Sequence, residues 1–142
     1  MNSECILVHY HEIGLKGANR SWFEKIFIHN IKKQLRNLPY IKIKLVAARV
    51  LIIGIDSTLN KEYQSSLINV MGLKHAFMMS STELNKDAIN NEVQRQIKEL
   101  DFNTFRISTK RQDKNFKLTS QDINRIIGEE VVQTYSKKVS LN

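Results

Sequence analysis

The sequence is poor in the residues that staple, break or anchor a chain. Its single cysteine, Cys5, excludes an internal disulfide and is compatible with a reducing compartment. One proline and five glycines in 142 residues leave no room for a Pro/Gly-rich linker, and no repeat or low-complexity tract is present. The longest apolar run, residues 50–55, falls far short of the roughly 20 residues that a membrane span requires. The opening Met1-Asn2-Ser3-Glu4 lacks the cationic region of a signal peptide. Together these absences predict a cytoplasmic chain with no membrane partner. Acids are the scarcer charge, 14 against 22 Lys and Arg, for a formal net charge of +8. That excess favours a polyanionic partner, because clustered cations raise local attraction and association rate. Hydrophobic content of 42% and charged content of 25% are those of a folded protein.

The positive charge is unevenly spread. Residues 1–49 carry nine Lys/Arg against three acids, whereas residues 81–102 carry three against five. A polar, acidic helix therefore separates two basic blocks, and the composition shift after Ser80 is the one candidate boundary. Before it, the pattern predicts a strand over residues 4–10, then a loop bracketed by Gly14 and Gly17. Ser21 and Glu24 have the spacing of a capping box opening a helix. Phe23, Phe27, Ile31 and Leu35, with Trp22 and Ile26 beside them, form one wide apolar face. Lys25, His29, Lys32, Lys33 and Arg36 take the other side as a solvated stripe. Pro39 stops the helix. Residues 40–46 alternate Ile41, Ile43 and Leu45 against Lys42 and Lys44, a half-exposed strand that pairs as a hairpin with residues 49–55. Leu59, Tyr63, Leu67, Val70 and Met71 mark a second helix ended by Gly72, and residues 74–80 a fourth strand. The order β-α-β-β-α-β is that of a ferredoxin-like domain. The predicted class is α+β: a ferredoxin-like domain over residues 1–80 and a second mixed α/β unit over 81–142.

The second unit holds the most informative stretch. Ile89, Val93, Ile97 and Leu100 predict a helix over residues 86–100, and Thr104 to Lys110 reads as a strand. A basic turn follows, Lys110-Arg111-Gln112-Asp113-Lys114, and then a helix opening at Ser120, with Ile123, Ile127, Val131 and Tyr135 on one face. Residues 103–125 carry six cations and two acids. Strand parity puts Arg106, Ser108 and Lys110 on one face and Phe105, Ile107 and Thr109 on the other. Cations and hydroxyls beside a helix N-terminus make a phosphate-binding surface. The competing reading is a solvated loop after an edge strand. Asp113 is expected to orient Arg111 or Lys114, and Phe116 to belong to the core. Gly128, unfavourable inside a helix, suggests a close backbone approach. One strand between two helices is not a sheet, so this unit looks incomplete. Cys5, His9 and His11 share strand parity, but too few further ligands follow for a closed zinc site.

Two stretches resemble the tRNA 4-thiouridine synthetases, the ThiI family of tRNA sulfurtransferases. The first is Tyr10-His11-Glu12-Ile13-Gly14-Leu15-Lys16-Gly17-Ala18-Asn19-Arg20, followed by Phe23-Glu24-Lys25. The second combines Arg111, Asp113, Lys114 and Phe116 with Ser120, Ile123-Asn124 and Gly128, and is similar to the signature of a THUMP domain, an RNA-binding module. His9 and His11 depart from the family's usual Arg and Gly, and Ser140 stands for an Asp in a terminal V-D-L segment. The resemblance implies a ferredoxin-like domain followed by a THUMP domain, incomplete at its C-terminus, that together bind tRNA. It further implies a PP-loop domain, in cis or in trans, that uses ATP to prepare a uridine for thiolation. This chain contains no S-G-G-x-D-S nucleotide loop, so no catalytic residue, metal ligand or cofactor is assigned to it. The expected RNA contacts are Arg106, Lys110, Arg111, Lys114, Asn124 and Arg125, with Lys16, Asn19 and Arg20 extending the phosphate track. A stand-alone RNA-binding adaptor and a small-molecule regulatory domain of the same fold are the alternatives.

Overall fold

The computed structural model describes residues 3–11 and 18–139. The chain divides into two compact units, Met1–Ser81 and Thr82–Asn142. In the first, strands β1 (Ser3–Tyr10), β2 (Lys42–Val46), β3 (Arg49–Ile53) and β4 (Leu73–Ser81) form one antiparallel sheet in the order β2-β3-β1-β4. Helices α1 (Ala18–Gln34) and α2 (Asn60–Leu67) complete the β-α-β-β-α-β order. This is the ferredoxin-like arrangement that the sequence predicts.

Its core follows from strand parity. Ile6, Val8 and Tyr10 of β1 and Val50 and Ile52 of β3 point to the same face and are buried. They meet Phe27, Ile31 and Leu35 of α1 and Tyr63, Leu67 and Val70 of the α2 segment in a single cluster. Tyr63 is fully buried, and its hydroxyl donates to the Pro39 carbonyl and accepts from the Asp56 N–H at 3.1 Å. Burying that phenol therefore leaves no unpaired polar atom, and it ties the end of the α1–β2 connection to the entry of α2.

Several boundaries differ from expectation. Helix α1 begins at Ala18, so Ser21 and Glu24 lie inside it and do not cap it. Glu24 is buried and accepts a hydrogen bond from the Tyr10 hydroxyl at 2.7 Å, while Arg20 Nε lies 3.5 Å from its other oxygen. Burial, and then the bond to Glu24, raise the Tyr10 pKa above its ordinary value, so the phenol stays a donor. Trp22 and Ile26 are not core residues: Trp22 is 66% exposed, because the core stripe runs through Phe23, Phe27, Ile31 and Leu35. Ile41 lies outside β2, and Met71 outside α2; both are exposed. Helix α2 ends at Leu67, and Gly72, at φ +90°, turns the chain into β4. A Cβ there would come within 2.9 Å of the Phe23 ring.

The β2–β3 hairpin turns on Ala47 and Ala48, both left-handed at φ +46° and +64°. Two-residue loops of this kind match the strand twist but favour Asn-Gly, since a Cβ in the left-handed region costs roughly 1–2 kcal/mol. The double substitution Ala47→Asn/Ala48→Gly should stabilise the chain by about 1 kcal/mol. A thermal melt of the pair beside the parent checks this, and an unchanged or lowered midpoint contradicts it.

The second unit contains α3 (Lys86–Ile97), β5 (Thr104–Phe105), α4 (Ser120–Tyr135) and β6 (Lys138–Val139). Asn85 caps α3 by accepting the Ala88 N–H at 2.8 Å. The helix ends at Ile97, and Leu100 is exposed. Glu92, buried on α3, is bound by Arg95 and Gln96 one turn on. Ile123, Ile127 and Val131 form the buried face of α4. The lone strand has a partner after all: β6 pairs with β5 in parallel, Thr104 opposite Lys138 and Phe105 opposite Val139.

Candidate nucleic-acid interface

The basic segment is extended but mostly unpaired. Ladder pairing stops at Phe105, yet burial continues to alternate: Phe105, Ile107 and Thr109 are half-buried, and Arg106, Ser108 and Lys110 exposed. The alternation that sequence parity predicts therefore outlasts the strand. Beyond Phe105 this stretch has no neighbour strand among the described residues.

From there the chain loops back to α4. Asp113 organises this loop by itself: its carboxylate accepts the Asn115 N–H at 2.9 Å, and its carbonyl accepts the Phe116 N–H at 3.3 Å. The expectation that it orients Arg111 or Lys114 is replaced by this local turn, the ordinary use of a short carboxylate in a loop. Arg111 is half-buried and reaches across the loop, donating long 3.4 Å bonds to the carbonyls of Phe116 and Leu118. It thus braces the loop from inside. Lys110, Lys114 and Lys117 are exposed.

The helix start is less available to an anion than the sequence suggests. Helix α4 opens at Ser120 as expected, and its N-cap Thr119 forms a reciprocal box with Asp122: Thr119 Oγ1 accepts the Asp122 N–H at 3.1 Å, and Asp122 accepts the Thr119 N–H at 3.0 Å. Those bonds to Thr119, and then the nearby Arg125 and Arg111, hold the Asp122 carboxyl below its ordinary pKa. The first turn is already satisfied and negatively charged. Anion binding here would come from side chains rather than from the helix end. The cap's contribution is complete above the unfolded aspartate pKa near 4 and is lost as pH falls through the lower folded value.

Arg106 and Arg125 do converge. Both line an open groove of about 570 Å³ between the extended segment and α4, with Phe105 and Ile107 on one wall and Asn124, Gly128 and Val132 on the other. Asn124 Oδ1 is buried there without a hydrogen-bond partner. Gly128 has nothing within 4 Å of the position its Cβ would take, so no close backbone approach explains it; the missing side chain deepens the groove. Lys110 and Arg111 line a smaller hollow of about 210 Å³ together with Phe116, Ile89 and Ile123. Asp122 lies within the field of both Arg111 and Arg125, so the two arginines flank one carboxylate. Lys114 lies on the exposed turn and lines neither cavity. The apolar walls of the larger groove are what the charge count could not reveal.

Of the other expected contacts, Lys16 lies outside the described residues. Asn19 and Arg20 are exposed in the first turn of α1, in the other unit, and Arg20 is engaged with Glu24. Lys25, His29, Lys32, Lys33 and Arg36 are all exposed. No cluster of three or more His, Cys, Asp or Glu suited to a metal occurs among the described residues, and Cys5 is buried. No helix among them is long and apolar enough to cross a membrane.

Two family models match in tandem: the ThiI ferredoxin-like domain over residues 5–76 and the THUMP domain over residues 82–142. The chain is 34% identical over 128 residues to the probable tRNA sulfurtransferase of Clostridium acetobutylicum, covering 90% of this chain and 32% of that protein. It is 33% identical over 140 residues to the counterpart in Clostridium botulinum, covering 98% and 35%. The chain thus spans about a third of the length of these relatives. Among solved structures, PH1313 from Pyrococcus horikoshii superposes with a TM-score of 0.78 at 30% identity, over 100% of this chain and 48% of that one. A 4-thiouridine synthetase–RNA complex with bound ATP superposes with a TM-score of 0.73 at 24% identity, over 99% and 36%, a likeness of fold.

Two substitutions separate scaffold from groove. Thr119→Ala removes the cap of α4 and should destabilise the chain by about 1 kcal/mol in a denaturant titration. Gly128→Ala meets open space and should stabilise it by about 1 kcal/mol. A destabilised Gly128→Ala would show that the helix is tighter at this point than its geometry indicates.

Proposed function

The chain belongs to the ThiI family, and from that membership we propose that it is the tRNA-binding part of a tRNA sulfurtransferase, presenting tRNA for 4-thiouridine formation. The reaction itself is assigned to a PP-loop domain, in cis or in trans, and ATP to that domain. The proposed compartment is the cytoplasm. The observation that carries the reading is the groove of the second unit. Two guanidinium groups, that of Arg125 lying 3.7 Å from the Glu129 carboxylate that also lines the groove, stand beside a mostly apolar trough. Guanidinium groups suit phosphate oxygens, and an apolar trough suits the flat face of an unpaired base. Recognition on this reading is by backbone charge and RNA shape, not by base sequence.

Arg111 braces its loop, so removing it would confound charge with structure. The cleaner test is Arg106→Ala/Lys110→Ala/Lys114→Ala, since all three side chains are exposed. Filter-binding titrations with intact tRNA at several salt concentrations should show weaker retention. The log–log salt slope should flatten by about 0.9 for each phosphate that the variant no longer neutralises. An unchanged slope removes this surface from the reading. A chain that retains no tRNA yet is stabilised by a small metabolite would transfer the groove to a small-molecule role.

A further inference from the structure

The helices cover one face of the four-stranded sheet, and by register the other face is defined residue by residue. It carries Cys5, Leu7 and His9 of β1, opposite Met79, Phe77 and His75 of β4. Across β1 lie Ile53 and Leu51 of β3, and then Lys42 and Lys44 of β2. Such a face, left solvated, is normally polar. Here Phe77 is 48% exposed and Met79 is 41% exposed.

Three rings cluster on it. His9 and Phe77 have centroids 5.4 Å apart, His75 and Phe77 5.7 Å, and His9 and His75 6.5 Å. At one end of this cluster lies a hollow of about 430 Å³, lined by His9, His11, Arg49 and Lys74 among others. A β-bulge between His9 and Tyr10 locally shifts the register with β4 beside it. Lys42 and Lys44 stand at the far edge of the same face, and no carboxylate lies on it among the described residues.

We propose that this open sheet face is a second RNA site, which takes unpaired nucleotides by stacking bases on the His9–Phe77–His75 rings and seating a phosphate between Arg49 and Lys74. The proposal rests on the RNA-binding reading above and adds to it the sheet face of the first unit. Charge chooses the occupant: the described residues of the rim are Lys and Arg without acids, which opposes a cationic partner and suits a ribose-phosphate chain. The exposed rings decide for unpaired over duplex RNA, because only a splayed base offers its face to an aromatic side chain. The imidazole of His9 fits this use. Burial, and then Arg49, His75 and Lys74, lower its pKa and so favour the uncharged ring. A neutral ring can stack, and the cationic work falls to Arg49 and Lys74.

The test uses the whole chain and two labelled RNAs, a stem with a single-stranded 3′ tail and the same stem blunt-ended, followed by fluorescence anisotropy. Phe77→Ala should weaken the tailed RNA roughly tenfold and leave the blunt stem unchanged, while Phe77→Tyr should retain wild-type affinity. Thermal melts confirm that each variant is folded. Equal affinity of Phe77→Ala and wild type for the tailed stem would overturn this site and leave the groove of the second unit standing. Equal weakening of both RNAs would overturn its preference for unpaired bases. Displacement of the tail by micromolar AMP would make it a free-nucleotide pocket and overturn the proposal. Failure of the wild type to hold either RNA would sink both readings together.

Discussion

Everything in the first unit depends on the period of two along β1. This strand is hydrogen-bonded on both sides, to β3 and to β4, so it can neither slip nor rotate without breaking two ladders. Its even-numbered residues then have one destination, the helices, and its odd-numbered residues the opposite surface. Ile6, Val8 and Tyr10 vanish into the core, and Tyr10 draws Glu24 and, through it, Arg20 into a fixed geometry. The same rule sends His9 to the solvated face beside Phe77. Core and exposed ring cluster are two results of a single alternation.

The second unit is organised differently. Among the described residues its extended segment has a two-residue ladder, and the loop that carries the cations is held by side chains: Arg111 against two carbonyls, Asp113 across its own turn, and the Thr119–Asp122 box at the entrance to α4. These contacts separate two kinds of cation. Arg111 is occupied within the fold, whereas Arg106, Lys110 and Lys114 keep their charge turned outward. A count of positive residues in a sequence window cannot make that distinction, because both kinds contribute equally to it.

The fold was legible where hydrophobic period and length agreed. Phe27, Ile31 and Leu35 at helical spacing, and the alternation about Ile43, placed α1 and β2 without tertiary information. Errors arose where two local rules competed. Ser21 and Glu24 have capping spacing, but Glu24 is claimed by Tyr10, fourteen residues earlier, a contact invisible to any short window. Trp22 and Ile26 are apolar and adjacent to the core stripe, yet lie one helical step outside it. For the candidate site, Arg106, Asn124 and Arg125 were singled out by charge and motif. The groove they share was not, because it depends on how Ile107 and Phe105 face Gly128 across a gap that only three dimensions create.

The β5–β6 pairing has a consequence for dynamics. Two residues per strand supply few backbone bonds, and neither strand lies within a wider sheet among the described residues. Local opening free energy scales with such cohesion, so amide protons of Thr104 and Phe105 should exchange with solvent long before those of β1. One wall of the groove thus begins in the least cohesive ladder among the described residues.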